Sequence, residues 1–120
     1  MTILINFLVG LVAILHIYFL VLEMFLWTKP IGLKVFRQTI DKAKMTSVLA
    51  SNQGLYNGFL AAGLFWGLVN PNFSFAIQIK IFFLSCVAVA GLYGASTVSK
   101  KIFYIQSLPA IVALVLLCLF

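Results

Sequence analysis

Four long apolar stretches, separated by short polar ones, dominate the order of residues along the chain. They cover about residues 3–27, 47–69, 75–98 and 102–120. A helix needs about 20 mostly apolar residues to cross the hydrocarbon core of a bilayer. The pattern therefore predicts an all-α protein, an integral membrane four-helix bundle, in which residues 1–120 form a single transmembrane domain.

The composition agrees with membrane helices and excludes an ordinary soluble domain. Of the 120 residues, 64% are hydrophobic and 8% are charged, and the mean hydropathy is +1.19. Soluble domains carry about a quarter charged residues. The chain thus lacks the polar side chains that would cover a globule of its size.

Lysine and arginine are distributed unevenly among the predicted loops. The loop 28–46 carries five of them, the loop 99–101 carries two, and the loop 70–74 carries none. Such residues favour the cytoplasmic side of a membrane. We therefore expect a multi-pass protein of the cell membrane, with the loops 28–46 and 99–101 in the cytoplasm and both termini outside. Lys80 lies inside the third apolar stretch, and its long stem is expected to reach the outer interface.

The loop 28–46 has a helical pattern of its own. Apolar residues recur there at helical spacing, and basic residues occupy the rest of the turn: Leu33, Phe36, Ile40 and Ala43 against Lys34, Arg37, Lys42 and Lys44. This predicts a short amphipathic interfacial helix between the first two spans, with membrane lipids as its partner. Because the topology accounts for the net charge of +6, no nucleic-acid partner is expected.

Small residues mark where the helices approach one another. Gly54, Gly58 and Ala62 recur every fourth position in the second span, and Ala90 and Gly94 repeat that spacing in the third. Faces of this kind allow the backbones of membrane helices to approach closely. The approach can occur within one chain or between copies, so a homo-oligomer is left open.

Polar side chains within the spans gather in the half of the membrane that faces the cytoplasm. His16 and Glu23 lie on nearly one face of the first span, about 10.5 Å apart along its axis. Other spans add further polar side chains in that half: Asn52, Gln53, Tyr56, Asn57, Tyr93 and Gln106. Counted at about 1.5 Å per residue, Glu23 is level with Asn52 and Gln53, and His16 is level with the next turn of the second span.

Two interpretations of this polar set are open. Ionisable residues inside membranes are rare and usually functional, which favours a ligand-binding site. Alternatively, the amides and hydroxyls bond across helices and only fix the packing. One histidine and one glutamate leave a metal ion short of ligands, and Cys86 and Cys118 fit neither a metal-ligand spacing nor a redox pair. We therefore expect no metal and no other cofactor.

Three segments carry a specific combination of residues: Leu22–Thr28 followed by Pro30, Ser51–Gly63, and Gly91–Ala95. Together they resemble the DUF1304 family, small four-helix membrane proteins of bacteria and fungi. The Asn-Gln-Gly-x-Tyr-Asn-Gly core of the second segment is the most specific part, and the resemblance extends over essentially the whole chain. It implies four spans and singles out Glu23 and the polar residues of that core. Because the family's function is described as unknown, the resemblance implies no activity.

The leading functional hypothesis is a membrane binding protein that holds a small amphipathic or lipid-derived ligand in a polar pocket open to the cytoplasm. A second is a small membrane enzyme in which Glu23 or His16 transfers a proton. A third is a proton-coupled transporter, similar in its length and its first-span carboxylate to the small multidrug transporters. A structural subunit of a larger assembly also fits the pattern. The residues alone identify neither the ligand nor a catalytic residue.

Overall fold

The computed structural model describes residues 1–97 and 99–120, and every regular element among them is helical. In chain order the elements are α1 (Thr2–Met24), α2 (Pro30–Phe36), α3 (Ile40–Met45), α4 (Ser47–Val69), α5 (Phe73–Thr97), α6 (Lys100–Ile102), a π-helix (Phe103–Ser107) and α7 (Leu108–Leu119). The prediction of an all-α protein is confirmed. The predicted third span ends at Val98, which lies outside the described residues.

Three helical stretches in this part of the chain are long and apolar enough to cross a membrane, and they indicate a membrane protein: α1, α5 and Lys100–Leu119. The helix α4 begins and ends where the second span is predicted, and its 23 residues equal the length of α1. The helix α4 is not among these three stretches, because Asn52, Gln53 and Asn57 in its first half lower its mean hydropathy. The number of four spans and their orientation stay predictions.

The described chain divides into two compact units, residues 1–15 with 60–120, and residues 16–59. The core of the first unit consists of alanines and aliphatic side chains: Ile5, Val9, Val12, Ala13, Leu64, Leu84, Val87, Ala88, Ala110 and Ala113. Gly63 lies so close to the ring of Phe83 that a β-carbon there would collide with it. Small residues therefore set the spacing of these helices, as membrane helix packing requires.

In the second unit the chain folds back across the end of α1. The Trp27 indole Nε1 donates a hydrogen bond to Thr46 Oγ1 at 3.2 Å, and its ring lies 4.8 Å from that of Phe36. Gly32 packs against the backbone of Leu26 so closely that no larger residue fits without a shift. The segment between α1 and α4 is therefore an ordered part of the unit.

The structure corrects the prediction of a single amphipathic helix in this segment. Two short helices, α2 and α3, replace it, because the chain breaks at Arg37, whose φ of 51° is left-handed. A new helix then begins after Thr39, whose side chain accepts a hydrogen bond from the backbone N–H of Lys42 and caps it. Ser, Thr, Asp and Asn are the residues that favour this cap. Periodicity alone did not locate the break, since the apolar spacing continues across it.

The last apolar stretch, predicted as one span over 102–120, is helical throughout but changes its winding before Pro109. The backbone N–H of Leu108 donates to the carbonyl of Phe103, five residues earlier, which closes a π-turn. Proline cannot donate a helical hydrogen bond, and such sites are where helices change their winding. The buried Ser107 hydroxyl in this turn donates to the carbonyl of Ala88 in α5 at 2.8 Å. The turn before Pro109 is thus tied to the neighbouring helix α5.

Candidate functional site

A carboxylate and an amide meet within the unit formed by residues 16–59. Glu23 lies one residue before the end of α1, and Asn57 lies in the middle of α4. The Asn57 side-chain Nδ2 donates a hydrogen bond to Glu23 Oε1 at 2.5 Å. Both residues are half-buried. This is a direct contact between two of the residues that the sequence predicts for a binding site.

Glycine residues on α4 make this contact geometrically feasible. A β-carbon on Gly54 would lie 2.7 Å from Met24 Cγ, 3.1 Å from Glu23 Cβ and 3.2 Å from the backbone oxygen of Leu20. Gly58, one turn further, packs against the side chain of Leu20 in the same way. The two backbones therefore approach closely, and the short Asn57 side chain spans the remaining distance to the carboxylate.

The partner of Glu23 differs from the one that residue counting predicts. Counting places Glu23 level with Asn52 and Gln53, whereas it bonds Asn57, ten residues or about 15 Å beyond the start of α4. The reason is that α1 ends at Met24 and the chain needs two further short helices before α4 begins. The helices α1 and α4 are therefore offset by about one turn from the register that the sequence predicts.

The exposed residues Asn52, Gln53 and Tyr56 lie on the surface of α4 in this unit. Asn52 donates from its side chain to the carbonyl of Val48, one turn earlier in its own helix, at 3.1 Å. Tyr56 is 56% exposed and lies against the ring of Phe59, 6.2 Å between centroids. Their assignment to a ligand site stays a prediction, and such exposed groups are available to a molecule that approaches α4.

His16 occupies a different environment from Glu23. It is 1% exposed and meets the ring of Phe19 edge-on, 5.7 Å between centroids. A buried histidine of this kind contributes to packing on α1, and its role in a site is a prediction.

Tyr93 and Gln106 belong to the unit formed by residues 1–15 and 60–120. Tyr93 is 71% exposed on α5 and lines a shallow apolar groove with other residues of that helix: Phe82, Ser85, Cys86, Val89 and Ala90. Gln106 lies half-buried in the π-helix, next to Ser107. Both remain predicted site residues, and they belong to a different unit from Glu23 and Asn57.

A second polar pair was missed by the sequence analysis. The Lys80 Nζ group donates a hydrogen bond to Asn6 Oδ1 at 2.7 Å, which joins α5 to α1. Lys80 is 8% exposed, so its stem packs between helices, and the prediction that it reaches the outer interface stays a prediction. The sequence carries one signal of this pair: Asn6 is a lone amide within the first two turns of the apolar helix α1. Such a residue calls for a polar partner on a neighbouring helix.

The described residues give no support to a metal site, since no three His, Cys, Asp or Glu side chains among them come together. Cys86 and Cys118 are free thiols there, Cys86 half-buried and Cys118 exposed. The chemistry that this arrangement offers is hydrogen bonding by the Glu23 carboxyl group and the Asn57 amide, and proton transfer by the Glu23 carboxyl group.

Comparison with known proteins places the chain in a family. The model of the protein family "Protein of unknown function (DUF1304)" matches residues 10–118. The chain is also similar to the "Uncharacterized protein YpaA" of Lactococcus lactis subsp. lactis (strain IL1403), with 36% identity over 118 residues, which cover 96% of this chain and 97% of that protein. No solved structure matches the chain. The protein therefore belongs to the DUF1304 family.

Proposed function

We propose that this protein binds a small amphipathic molecule inside the membrane, with Glu23 and Asn57 contacting its polar end. The observation that carries the proposal is the hydrogen bond between these two side chains, which joins α1 to α4. The polar end of the ligand enters from the side of the basic segment 28–46, which the charge distribution assigns to the cytoplasm. The apolar surfaces of α1 and α4 take up its apolar part.

The energetic argument starts from the cost of a carboxylate in a membrane helix. An ionised acidic side chain at the centre of a bilayer costs about 2.5–3.5 kcal/mol on insertion scales. A hydrogen bond between membrane helices stabilises by only about 0.6 kcal/mol on average. Glu23 lies one residue before the end of α1, so its cost is smaller than at the centre of the bilayer, and its hydrogen bond to Asn57 offsets part of that cost. Residues retained at such a cost in membrane interiors commonly serve a function.

The chemistry of the site selects the class of ligand. The Glu23 carboxyl group has two oxygens that accept hydrogen bonds, and Asn57 donates to one of them. The complementary head group is therefore a hydrogen-bond donor, an amine or a hydroxyl, on an apolar body. The exposed Asn52, Gln53 and Tyr56 on α4 then provide further contacts along the path of entry.

The proposal is tested by identifying what co-purifies with the protein. The full chain, extracted gently with native lipid, is compared with Glu23→Gln and Asp41→Asn by native mass spectrometry and small-molecule analysis. Asp41 is the matched control because it is the other acidic residue of the chain and is exposed on α3. We expect a bound amphipathic molecule in the wild type and in Asp41→Asn, and a loss of about tenfold in occupancy in Glu23→Gln. Equal occupancy in all three proteins, or none in any, would contradict the proposal.

One observation also favours an enzyme acting on the same ligand: Glu23 is the sole carboxylate in the helices predicted to span the membrane. A carboxylate beside a bound head group can act as a general acid or base. For such an enzyme, in contrast to a binding protein, we expect Glu23→Gln to abolish turnover of the bound molecule and to retain most of its binding. The proton-coupled transporter predicts instead a Glu23-dependent flux into sealed vesicles, which the binding protein does not produce.

A further inference from the structure

The pair formed by Lys80 and Asn6 is the strongest feature outside the proposed binding site. The Lys80 ammonium group donates to the Asn6 amide oxygen at 2.7 Å, and Lys80 is 8% exposed. Both residues lie in helices that are long and apolar enough to cross a membrane. A lysine is among the costliest side chains to place in such a helix. A lysine found there, together with the group that pairs with it, commonly marks a functional site.

The packing around Lys80 keeps its side chain in place. A β-carbon on Gly67 of α4 would lie 2.8 Å from Lys80 Cγ and 3.4 Å from the backbone nitrogen of Lys80. The absence of a side chain at Gly67 therefore makes room for the lysine stem between α4 and α5. The ammonium group is directed at Asn6 by this packing.

No carboxylate side chain of its own unit balances the charge of Lys80. The chain has two acidic residues, Glu23 and Asp41, and both belong to the unit formed by residues 16–59. The amide oxygen of Asn6 is neutral, and an ammonium group has three N–H donors. Among the described residues, one of these donors is used. The other two donors are therefore available to an acceptor other than Asn6.

The residues near Lys80 favour an amphipathic anion over a small water-soluble one as the group that binds there. Trp66 and Phe75 are about half exposed, and their rings lie 6.3 Å apart near the start of α5. Exposed aromatic residues of this kind mark the level of lipid head groups. Lys80 lies five residues, about 7.5 Å, further along α5 than Phe75. Phe7, next to Asn6, is 65% exposed and offers an apolar surface beside the pair.

We propose that Lys80 and Asn6 form a second binding site, which takes the phosphate group of an anionic phospholipid. Two N–H donors of Lys80 contact the phosphate oxygens, and the Asn6 amide holds the ammonium group in place. The acyl chains lie along the exposed apolar surface of α1 and α5. This site is independent of the ligand proposed for Glu23, so either proposal can fail without the other.

The test measures lipid binding to the full chain by native mass spectrometry in detergent. Phosphatidylglycerol and phosphatidylcholine are added to the wild type, to Lys80→Met and to the control Lys100→Met. Methionine keeps the unbranched stem that packs against Gly67, and Lys100 is an exposed lysine of the same unit. We expect the wild type and Lys100→Met to prefer phosphatidylglycerol, and Lys80→Met to bind it about tenfold more weakly. Equal affinity of the wild type and Lys80→Met for phosphatidylglycerol would overturn the proposal.

Two further measurements keep the test decisive if Lys80→Met does not fold. Lys80→Arg retains the positive charge and is expected to retain the preference for phosphatidylglycerol, whereas Asn6→Ala is expected to weaken it. Loss of the preference in Lys80→Arg, or no effect of Asn6→Ala, would contradict the site. Millimolar inorganic phosphate is added as a competitor in a separate arm. Displacement of phosphatidylglycerol by inorganic phosphate would overturn the lipid assignment, since the site would then take a free anion.

Discussion

Two charged side chains lie inside long helices of this molecule, and each meets an asparagine of another helix. Asn57 donates to the carboxylate of Glu23 in one unit, and Asn6 accepts from the ammonium group of Lys80 in the other. Glu23 is half-buried with exposed polar residues nearby on α4, whereas Lys80 is almost fully buried. The comparison teaches that an asparagine on a neighbouring helix pairs with the charged side chain in both units, with exposed polar residues nearby in one and nearly complete burial in the other.

The helix contact beneath the Glu23 pair is less tolerant than the one beneath the Lys80 pair. At Gly54 an added β-carbon meets the backbone oxygen of Leu20 at 3.2 Å, while at Gly67 the nearest backbone atom is the nitrogen of Lys80 at 3.4 Å. We expect Gly54→Ala to destabilise the protein by about 2 kcal/mol, within the range for overpacking, and Gly67→Ala by about half as much. The measurement is unfolding in detergent followed by circular dichroism.

Gly10→Ala is the matched control for that series. A β-carbon at Gly10 would meet Leu68 Cδ1 at 3.9 Å, which is ordinary van der Waals contact. Alanine also favours a helix over glycine by about 1 kcal/mol, so Gly10→Ala should be neutral or stabilising. If Gly54→Ala were as well tolerated as Gly10→Ala, the close approach of α1 and α4 would be wrong.

The hydrogen bond of Glu23 is expected to contribute about 1 kcal/mol. A double-mutant cycle with Asn57→Leu, Glu23→Leu and the double variant isolates this coupling from the effects of each residue alone. Hydrogen bonds between membrane helices contribute about 0.6 kcal/mol on average and up to about 1.7 kcal/mol, and we expect this partly buried pair to lie above the average. The cycle is measured by reversible unfolding in detergent. Additive effects of the two substitutions would show that the side chains do not interact.

The hydrogen bond between Ser107 and Ala88 joins two uncharged groups. Its contribution to stability is therefore the reference for the hydrogen bonds of Glu23 with Asn57 and of Lys80 with Asn6. Ser107 donates to the carbonyl of Ala88 in α5, whereas Ser85 donates to the carbonyl of Ile81 within its own helix. We expect Ser107→Ala to destabilise by about 0.6 kcal/mol, and Ser85→Ala to have almost no effect. The same unfolding measurement compares them. A larger loss for Ser85→Ala would contradict the assignment of the Ser107 bond as a tie between helices.

The long apolar stretches predict the helices well because each has about the length that a helix needs to cross a bilayer. The second span coincides with α4, and the first, third and fourth differ from the helices by a few residues at their ends. The sequence also singles out Glu23 and Asn57, since a charged group and an amide in apolar helices need partners. It does not fix their register, because the path of the chain between Met24 and Ser47 decides how far α4 extends beyond the end of α1.

The remaining features depend on contacts between residues distant in the chain. Lys80 and Asn6 are 74 positions apart, and the lone amide of Asn6 indicates that a polar partner is needed without identifying which residue provides it. The break at Arg37 depends on a single left-handed residue within a continuous apolar spacing. The turn at Ser107 depends on a proline two residues later and on a carbonyl of α5.

The central claim is that Glu23 serves a ligand rather than the packing alone. The most direct test is a high-resolution experimental structure of the protein purified with native lipid, inspected for density next to the Glu23 carboxylate. We predict an ordered amphipathic molecule whose head group lies within hydrogen-bond distance of Glu23 and near Asn57. A carboxylate fully bonded by Asn57 and other side chains of the protein, with no bound molecule or water beside it, would contradict the claim and make the pair a packing contact.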